Sequence, residues 1–469
     1  MKKTLLVFCI ILLFSLPLFA QEVDTSWVRR YTEGTAGHLC VDRSGNVYLT
    51  GETVTLKYAA NGDQLWVGQF GGSDLAIDDS GNVYVTGPGG TASYDSSGNL
   101  LWTRSWGGSA AKKLVDYWWP QPCALTLDNS GNICVTGMFY TGSSLDCATI
   151  KYYPDGDTAW VTVTNAGNNV NGGFDIAVDA SGNLYVTGVT GHTNGYGRLT
   201  IKYHPNGDTA WVRTYIPAVP PGYPYFVWGL DVIVDDSGNV YTTGLGPTLT
   251  YDSSGNPLWV QEKSWSDMAV GDSGMIYFAG TSDSLDYVVA KYHPNGDVAW
   301  TRIYDGPADD SDQVSSMAGD DQGNVYVTGG SIGTTTGYDY ATIKYDPSGN
   351  RLWLVRFDGG SPLSRDVATG IATDAQGNIY VTGSSQDSTG HADCVTIKYL
   401  PSTFFRGDAN GDDKVTVSDV VYEINYLFKG GPLPDPLISG DTNCDGKVTI
   451  ADAVFLINYL FKGGTPPVC

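Results

Sequence analysis

Residues 320–357 read DDQGNVYVTGGSIGTTTGYDYATIKYDPSGNRLWLVRF, and this stretch decides the fold. Its first half reads as two short strands about the Q-G-N turn at 322–324, and its second half as two more about the P-S-G-N turn at 347–350. Four antiparallel strands in roughly 40 residues make one blade of a β-propeller.

The unit recurs through most of the chain. Its first turn glycine occurs eight times, at Gly45, Gly81, Gly131, Gly182, Gly238, Gly274, Gly323 and Gly377, and another glycine follows six positions later in each copy. In the second hairpin a tyrosine precedes a tryptophan by eight residues in seven copies, from Tyr58/Trp66 to Tyr345/Trp353. The eighth tyrosine, Tyr399, runs into PSTFF and reaches no tryptophan. The missing strand stands at the other end, where DTSWVRRY at 24–31 matches TAWVRTY at 209–215. The expectation is an all-β, eight-bladed propeller of four-stranded antiparallel blades over residues 21–400, its last blade completed by the N-terminal strand so that neither edge is left open.

Composition agrees with a turn-rich β protein: 60 Gly and 30 Tyr accompany only 16% charged residues. Residues 1–20, MKKTLLVFCIILLFSLPLFA, read as a secretory signal peptide, with Lys2 and Lys3 before an apolar core and Ala20 at its end. No later segment approaches the roughly 20 apolar residues of a membrane helix. A secreted, extracellular or surface-attached protein without a membrane span is therefore expected. The net charge of −24 excludes nucleic acid as a partner, because a phosphate backbone demands a basic surface. Losing Cys9 with the leader leaves seven cysteines, too few and too uneven for a disulfide scaffold.

The repeat resembles the bacterial β-propeller repeat family SBBP, whose pattern D-x-x-G-N-x-Y-V-T-G followed by D-Y-A-T-I-K-Y-x-P-x-G-x-x-x-W is reproduced almost letter for letter at 320–353. That resemblance spans about residues 24–400 and implies the fold. Few family members have an assigned activity, so it implies little about function.

Function has to be sought where the copies disagree. From each second glycine to the strand-C tyrosine the gap varies from 7 to 16 residues, and from each tryptophan to the next turn glycine from 15 to 29. Both variable connections leave an up-and-down blade on the same face, which marks that face for binding. Two of them are rich in aromatics: 107–123 with Tyr117, Trp118 and Trp119, and 216–230 with Tyr223, Tyr225, Phe226 and Trp228. Exposed rings stack on sugar faces or anchor a protein, and buried ones serve as lids over the inter-blade core. A second candidate lies seven residues before the turn glycine, where Asp74, Asp175, Asp231 and Asp267 should rim the central channel and His38 takes the position in the first blade. Such carboxylates could hold a cation or do acid–base chemistry, or they could simply bond backbone N–H groups. No Ser-His-Asp, zinc-ligand or phosphate-loop pattern emerges.

After residue 405 the pattern changes. GDANGDDKVTVSDVVYEINYLFKGG is followed 33 residues on by GDTNCDGKVTIADAVFLINYLFKGG. Oxygen ligands fall at loop positions 1, 3, 5, 9 and 12, namely Asp408, Asn410, Asp412, Thr416 and Asp419, then Asp441, Asn443, Asp445, Thr449 and Asp452. Lys414 and Lys447 at position 7 would add backbone carbonyls. This is EF-hand spacing for Ca²⁺, so two calcium sites are expected. Loop plus following helix, twice, resembles a type I dockerin over residues 406–469, after a short linker at 401–405. The resemblance implies calcium-dependent folding and docking onto a cohesin-like scaffold or surface protein. The family reads its partner through a pair just before the last ligand, which here is Val417-Ser418 and Ile450-Ala451.

In each following helix Val421, Ile424, Leu427 and Phe428 match Val454, Ile457, Leu460 and Phe461 and are expected in the core. Tyr422, Tyr426, Phe455 and Tyr459 lie off that stripe and are expected to face a partner. Cys444 and the final Cys469 are the candidate disulfide. The leading functional expectation is a non-catalytic propeller that binds glycan or protein through its variable face. The alternative is a polysaccharide hydrolase or lyase tethered by the tail.

Overall fold

In the computed structural model eight antiparallel sheets follow one another from Gln21 to Phe405, as the repeat requires. The structure describes residues 21–462 except 33, 35, 106–123, 141–143, 167–169, 194, 219–224, 272–273, 361–363, 388, 406, 411–414, 435–436 and 444–446. The expected leader at 1–20 lies outside the described residues. One compact unit spans 23–401, and a second contains 402–469.

The seventh blade shows the plan. Strands Asp312–Gly319, Val325–Ile332, Tyr338–Tyr345 and Arg351–Phe357 form strands A to D from first to last. Strands B and C are buried on both faces, since each blade packs between two others, and this is why they read as unbroken apolar runs. The A–B turn explains D-x-x-G-N-x-Y. Oδ1 of Asp320 accepts the N–H groups of Gln322 and Asn324, and Oδ2 accepts the Asn324 amide and the Tyr326 hydroxyl, both at 2.8 Å. The same aspartate–tyrosine bond joins Asp42 to Tyr48, Asp78 to Tyr84, Asp179 to Tyr185, Asp235 to Tyr241 and Asp374 to Tyr380. In the third blade Cys134 replaces the tyrosine, and Lys151 reaches Asp128 instead at 2.5 Å.

The strand-D tryptophans join blade to blade. In six of them the indole N–H donates to a carbonyl in the C–D turn of the next blade: Trp66 to Ser96, Trp102 to Pro154, Trp160 to Pro205, Trp211 to Ser253, Trp259 to Pro294 and Trp300 to Pro347. The glycine of that turn lies on the tryptophan ring. A Cβ on Gly207 would come within 2.7 Å of Trp160, and the residue sits at φ +90°, so only glycine fits.

The ring closes as expected. Strand Gln21–Tyr31 is the outer strand of the eighth sheet, beside Ala392–Phe405, Ile379–Gln386 and Asp366–Thr373. Trp27, 7% exposed, donates to the Ala60 carbonyl of the first blade at 3.0 Å and so repeats the joint found elsewhere. Residues 401–405, read from sequence as a linker, prolong the preceding strand to Phe405.

The second unit has two helices, α1 (Val417–Lys429) and α2 (Ile450–Lys462). Thr416 and Asp419 form a capping box on α1, and Gly430 ends it at φ 68°. The apolar stripe is placed differently from expectation. Val420, Ala453, Leu456 and Val415 make the core, with Ile424, Ile457, Tyr459 and Leu460 packed against it. Val421, Phe428, Val454 and Phe461 are half or more exposed or nearly so, from 49% to 66%. The reason is the pairing of two short helices, which buries only the narrow side that begins at each loop's last aspartate. Among the described residues no helix is long and apolar enough to cross a membrane.

Candidate functional site

The channel aspartates lie on strand A of the second, fourth, fifth and sixth blades, Asp74 and Asp267 at its first residue and Asp175 and Asp231 within it. Each reaches sideways. Oδ2 of Asp74 accepts the Leu125 N–H at 2.8 Å, that of Asp175 the Val232 N–H at 2.7 Å, that of Asp231 the Met268 N–H at 2.8 Å and that of Asp267 the Met317 N–H at 2.7 Å. Every one therefore ties its blade to the next. Bonding to backbone N–H groups is one of the readings open from sequence, and these bonds cross between blades. The last three also crowd one another. Burial and the carboxylates of Asp267 and Asp175 hold the Asp231 carboxyl well above the ordinary range, and burial raises Asp175 and Asp267 as well. On the other side His38 pairs with Asp74 at 2.9 Å; desolvation opposes its charge, but Asp74, Asp267 and Asp175 outweigh it and raise its pKa.

A raised carboxyl is a stability statement. The folded Asp231 keeps a proton that the unfolded chain releases near pH 4, so its contribution is full below that pH and is lost as pH rises through the folded pKa. Asp231→Asn should therefore stabilise the propeller at about pH 7 and leave it unchanged at about pH 4. Melting curves at the two pH values check this; an equal shift at both would contradict it.

On the variable face the second aromatic connection is built into the sheet. Tyr225 and Phe226 add a short parallel strand to Gly195 and Tyr196 of the fourth blade. Phe226 is 54% exposed and stacks on Tyr196 with ring centres 5.9 Å apart and planes at 28°. Trp228, half-buried, meets Phe226 edge-on at 6.5 Å and Phe174 at 6.2 Å. Tyr225 turns inward, is 8% exposed and lies 6.2 Å from His192, so it is lid rather than surface. Tyr117, Trp118, Trp119 and Tyr223 lie outside the described residues.

One residue behind this shelf escaped the sequence reading. Arg198 is fully buried and donates to the carbonyls of Thr242, Pro247, Trp228 and Leu245, with burial lowering its pKa to about 10. It ties strand C of the fourth blade to the backbone of the fifth, Trp228 included. The signal was present, because the equivalent strand-C position holds Cys147, Tyr287, Tyr340 or Cys394 in other copies. Both cysteines are buried, with burial raising the Cys147 thiol to about 12.

In the tail Asp408, Asp419, Asp441 and Asp452 are all buried, from 0% to 4% exposed. Asp419 accepts the Asn410 and Thr416 N–H groups at 3.2 and 2.8 Å, and Asp452 accepts those of Asn443 and Thr449 at 3.0 and 2.7 Å. Each loop is thus folded back onto its last aspartate. Between the two stands Glu423, fully buried and raised to about 8 by burial and by Asp452 and Asp419. Sequence reasoning passed over it, although it replaces Leu456 of the second copy. A buried set of oxygen donors carrying this much negative charge fits a hard divalent cation. Lys447 is exposed, as a residue lending only its carbonyl would be. Asp412, Lys414, Asp445, Cys444 and Cys469 lie outside the described residues.

The expected partner-facing aromatics need correction. Tyr422, Tyr426, Phe455 and Tyr459 are only half-exposed; Tyr459 packs on the core and Tyr422 donates to the Leu433 carbonyl at 3.2 Å. At the start of each helix the exposed side chains are Val417, Ser418 and Val421 in α1 and Ile450, Ala451 and Val454 in α2.

Comparison with known proteins agrees with this division. Residues 406–461 match the dockerin type I domain, and residues 360–388 match the beta-propeller repeat. No curated protein matches. Among solved structures the chain is similar to a protein of unknown function from Bacteroides caccae, at 12% identity and TM-score 0.34 over 58% of this chain and 94% of that one. It is also similar to the extracellular domain of a hybrid two component system from B. thetaiotaomicron, at 14% and 0.37 over 79% and 53%, and to the polysaccharide lyase Uly1, at 10% and 0.39 over 70% and 90%. The chain is thus an eight-bladed β-propeller with a match to the beta-propeller repeat in its last blade, followed by a region that matches the dockerin type I domain.

Proposed function

We propose that the propeller is a non-catalytic glycan-binding module of an exported protein, anchored through its dockerin to a cohesin-bearing scaffold or surface partner. The observation that carries the reading is the open, sheet-supported stack of Phe226 on Tyr196 beside Trp228 on the variable face. Flat rings held rigid offer the apolar faces on which sugar C–H groups stack, at little entropic cost. In the tail, Asp408, Asn410, Asp412, Thr416 and Asp419 with the Lys414 carbonyl hold one Ca²⁺, and Asp441, Asn443, Asp445, Thr449 and Asp452 with the Lys447 carbonyl hold the other. The apolar starts of the two helices, Val417 with Val421 and Ile450 with Val454, face the cohesin.

Phe226→Ala should weaken retention on the bound polysaccharide about tenfold, equivalent to roughly 1.4 kcal/mol, without moving the melting temperature. Unchanged retention would remove the shelf from the binding site. A second reading, a polysaccharide hydrolase or lyase, draws on the crowding of Asp231 by Asp175 and Asp267, which raises its carboxyl as a general acid requires. Loss of product release in Asp231→Asn would favour it.

A further inference from the structure

Four blades begin strand C with an aspartate, Asp146, Asp286, Asp339 and Asp393, and three of them are met by a nitrogen donor from a neighbouring strand or loop. Asn165 donates its amide to Asp146 at 2.8 Å. Arg356 pairs with Asp339 at 2.8 Å, and Arg30 with Asp393 at 2.9 Å. The two arginines are equivalent, each three residues after the strand-D tryptophan, and each also reaches a strand-B serine, Ser331 or Ser385. In the sixth blade that place holds Ile303, which is 63% exposed.

Asp286 instead meets two more carboxylates. It lies with Asp305 and Asp312 so that one oxygen from each is within 4.8 Å of the others. Asp312 is only 1% exposed. Its Oδ2 accepts the Gly306 N–H at 2.5 Å, whereas its Oδ1 is buried with no hydrogen-bond partner among the described residues. Asp286 accepts from the hydroxyls of Ser284 and Ser282, and Asp305 is open to solvent. No lysine, arginine or histidine forms an ion pair with any of the three among the described residues. A buried carboxylate oxygen without a donor, beside two further carboxylates, is an arrangement that a cation resolves.

We propose that Asp286, Asp305 and Asp312 bind a Ca²⁺ ion where the sixth blade meets the seventh, in the role that arginine fills at the next two joints. Three carboxylates with an open side for water match the oxygen-rich, adaptable shell that Ca²⁺ takes. The neighbouring cluster of Asp339, Asp358 and Asp366 is the built-in comparison. It also brings three carboxylates within 4.8 Å and leaves Oδ1 of Asp339 without a hydrogen bond, but it already contains the Arg356 guanidinium.

The test counts Ca²⁺ bound per full chain by equilibrium dialysis after chelator treatment, for the native protein, Asp312→Asn, Ile303→Arg and Asp358→Asn. The tail loops are common to all four and cancel. Asp312→Asn and Ile303→Arg should each hold one Ca²⁺ fewer than the native chain, and Asp358→Asn the same number. Tryptophan fluorescence reports the propeller alone, since no tryptophan follows residue 400. By that signal Ca²⁺ should raise the melting temperature of the native propeller by several degrees and leave that of Ile303→Arg unmoved. Should Asp312→Asn fail to fold, Ile303→Arg still decides. Equal counts in the native chain and Ile303→Arg, or a loss in Asp358→Asn, would overturn the assignment.

Discussion

Trp27→Ala is expected to lower the stability of the propeller by about 3–5 kcal/mol, the usual cost of removing a buried tryptophan. The effect is large because this one side chain serves two blades. It packs among Leu39, Leu49, Val54, Tyr58, Tyr380 and Cys394, and its indole bonds the first blade while its strand belongs to the eighth. An open ring would also expose the unpaired edge of strand Ala392–Phe405. Trp27→Phe keeps most of the packing and loses the N–H bond, so it should cost nearer 1 kcal/mol. Denaturant midpoints followed by tryptophan fluorescence check both, and an unshifted midpoint for Trp27→Ala would mean that the N-terminal strand does not close the ring.

Chelating calcium is expected to unfold the tail and spare the propeller's native tryptophan fluorescence. Among the described residues the core of the tail is one cluster of Val415, Val420, Ala453 and Leu456, too small to offset the repulsion among Asp408, Asp419, Glu423, Asp441 and Asp452. At a Ca²⁺ concentration about 1,000 times its dissociation constant, each site adds roughly 4 kcal/mol of stability. Limited proteolysis of the full chain should accordingly cut within 406–469 in chelator and not in millimolar Ca²⁺. Asp419→Ala and Asp452→Ala should each leave the tail cleavable even with Ca²⁺ present. Resistance that is equal with and without chelator would contradict calcium-dependent folding.

The propeller was legible because its letters are local and repeated. The D-x-x-G-N-x-Y run is one turn network, as in Asp320 to Tyr326, and the tyrosine–tryptophan spacing is one hairpin. Even the displaced strand could be read, since Trp27 had the flanking residues of the other strand-D tryptophans. What sequence could not supply is contact between copies. The channel aspartates share a position in the repeat, yet only packing shows that Asp231 sits against Asp175 and Asp267 while Asp74 faces His38. The helix stripe failed for a related reason. A period of 3.6 marks which residues share a face but not which of two apolar sides is covered, and the pairing of α1 with α2 chose the side of Ala453 and Leu456 over that of Val454 and Phe461. Glu423 and Arg198 break their repeats, so comparison of copies could have found both.

The most direct test of a binding rather than a catalytic role is one incubation of the full chain with a panel of insoluble polysaccharides, read twice. Protein depleted from solution measures retention, and new reducing or unsaturated ends measure cleavage. The proposed function predicts retention on at least one polysaccharide, lost with Phe226→Ala, and no new ends. Release of products, abolished by Asp231→Asn and indifferent to Phe226→Ala, would contradict it.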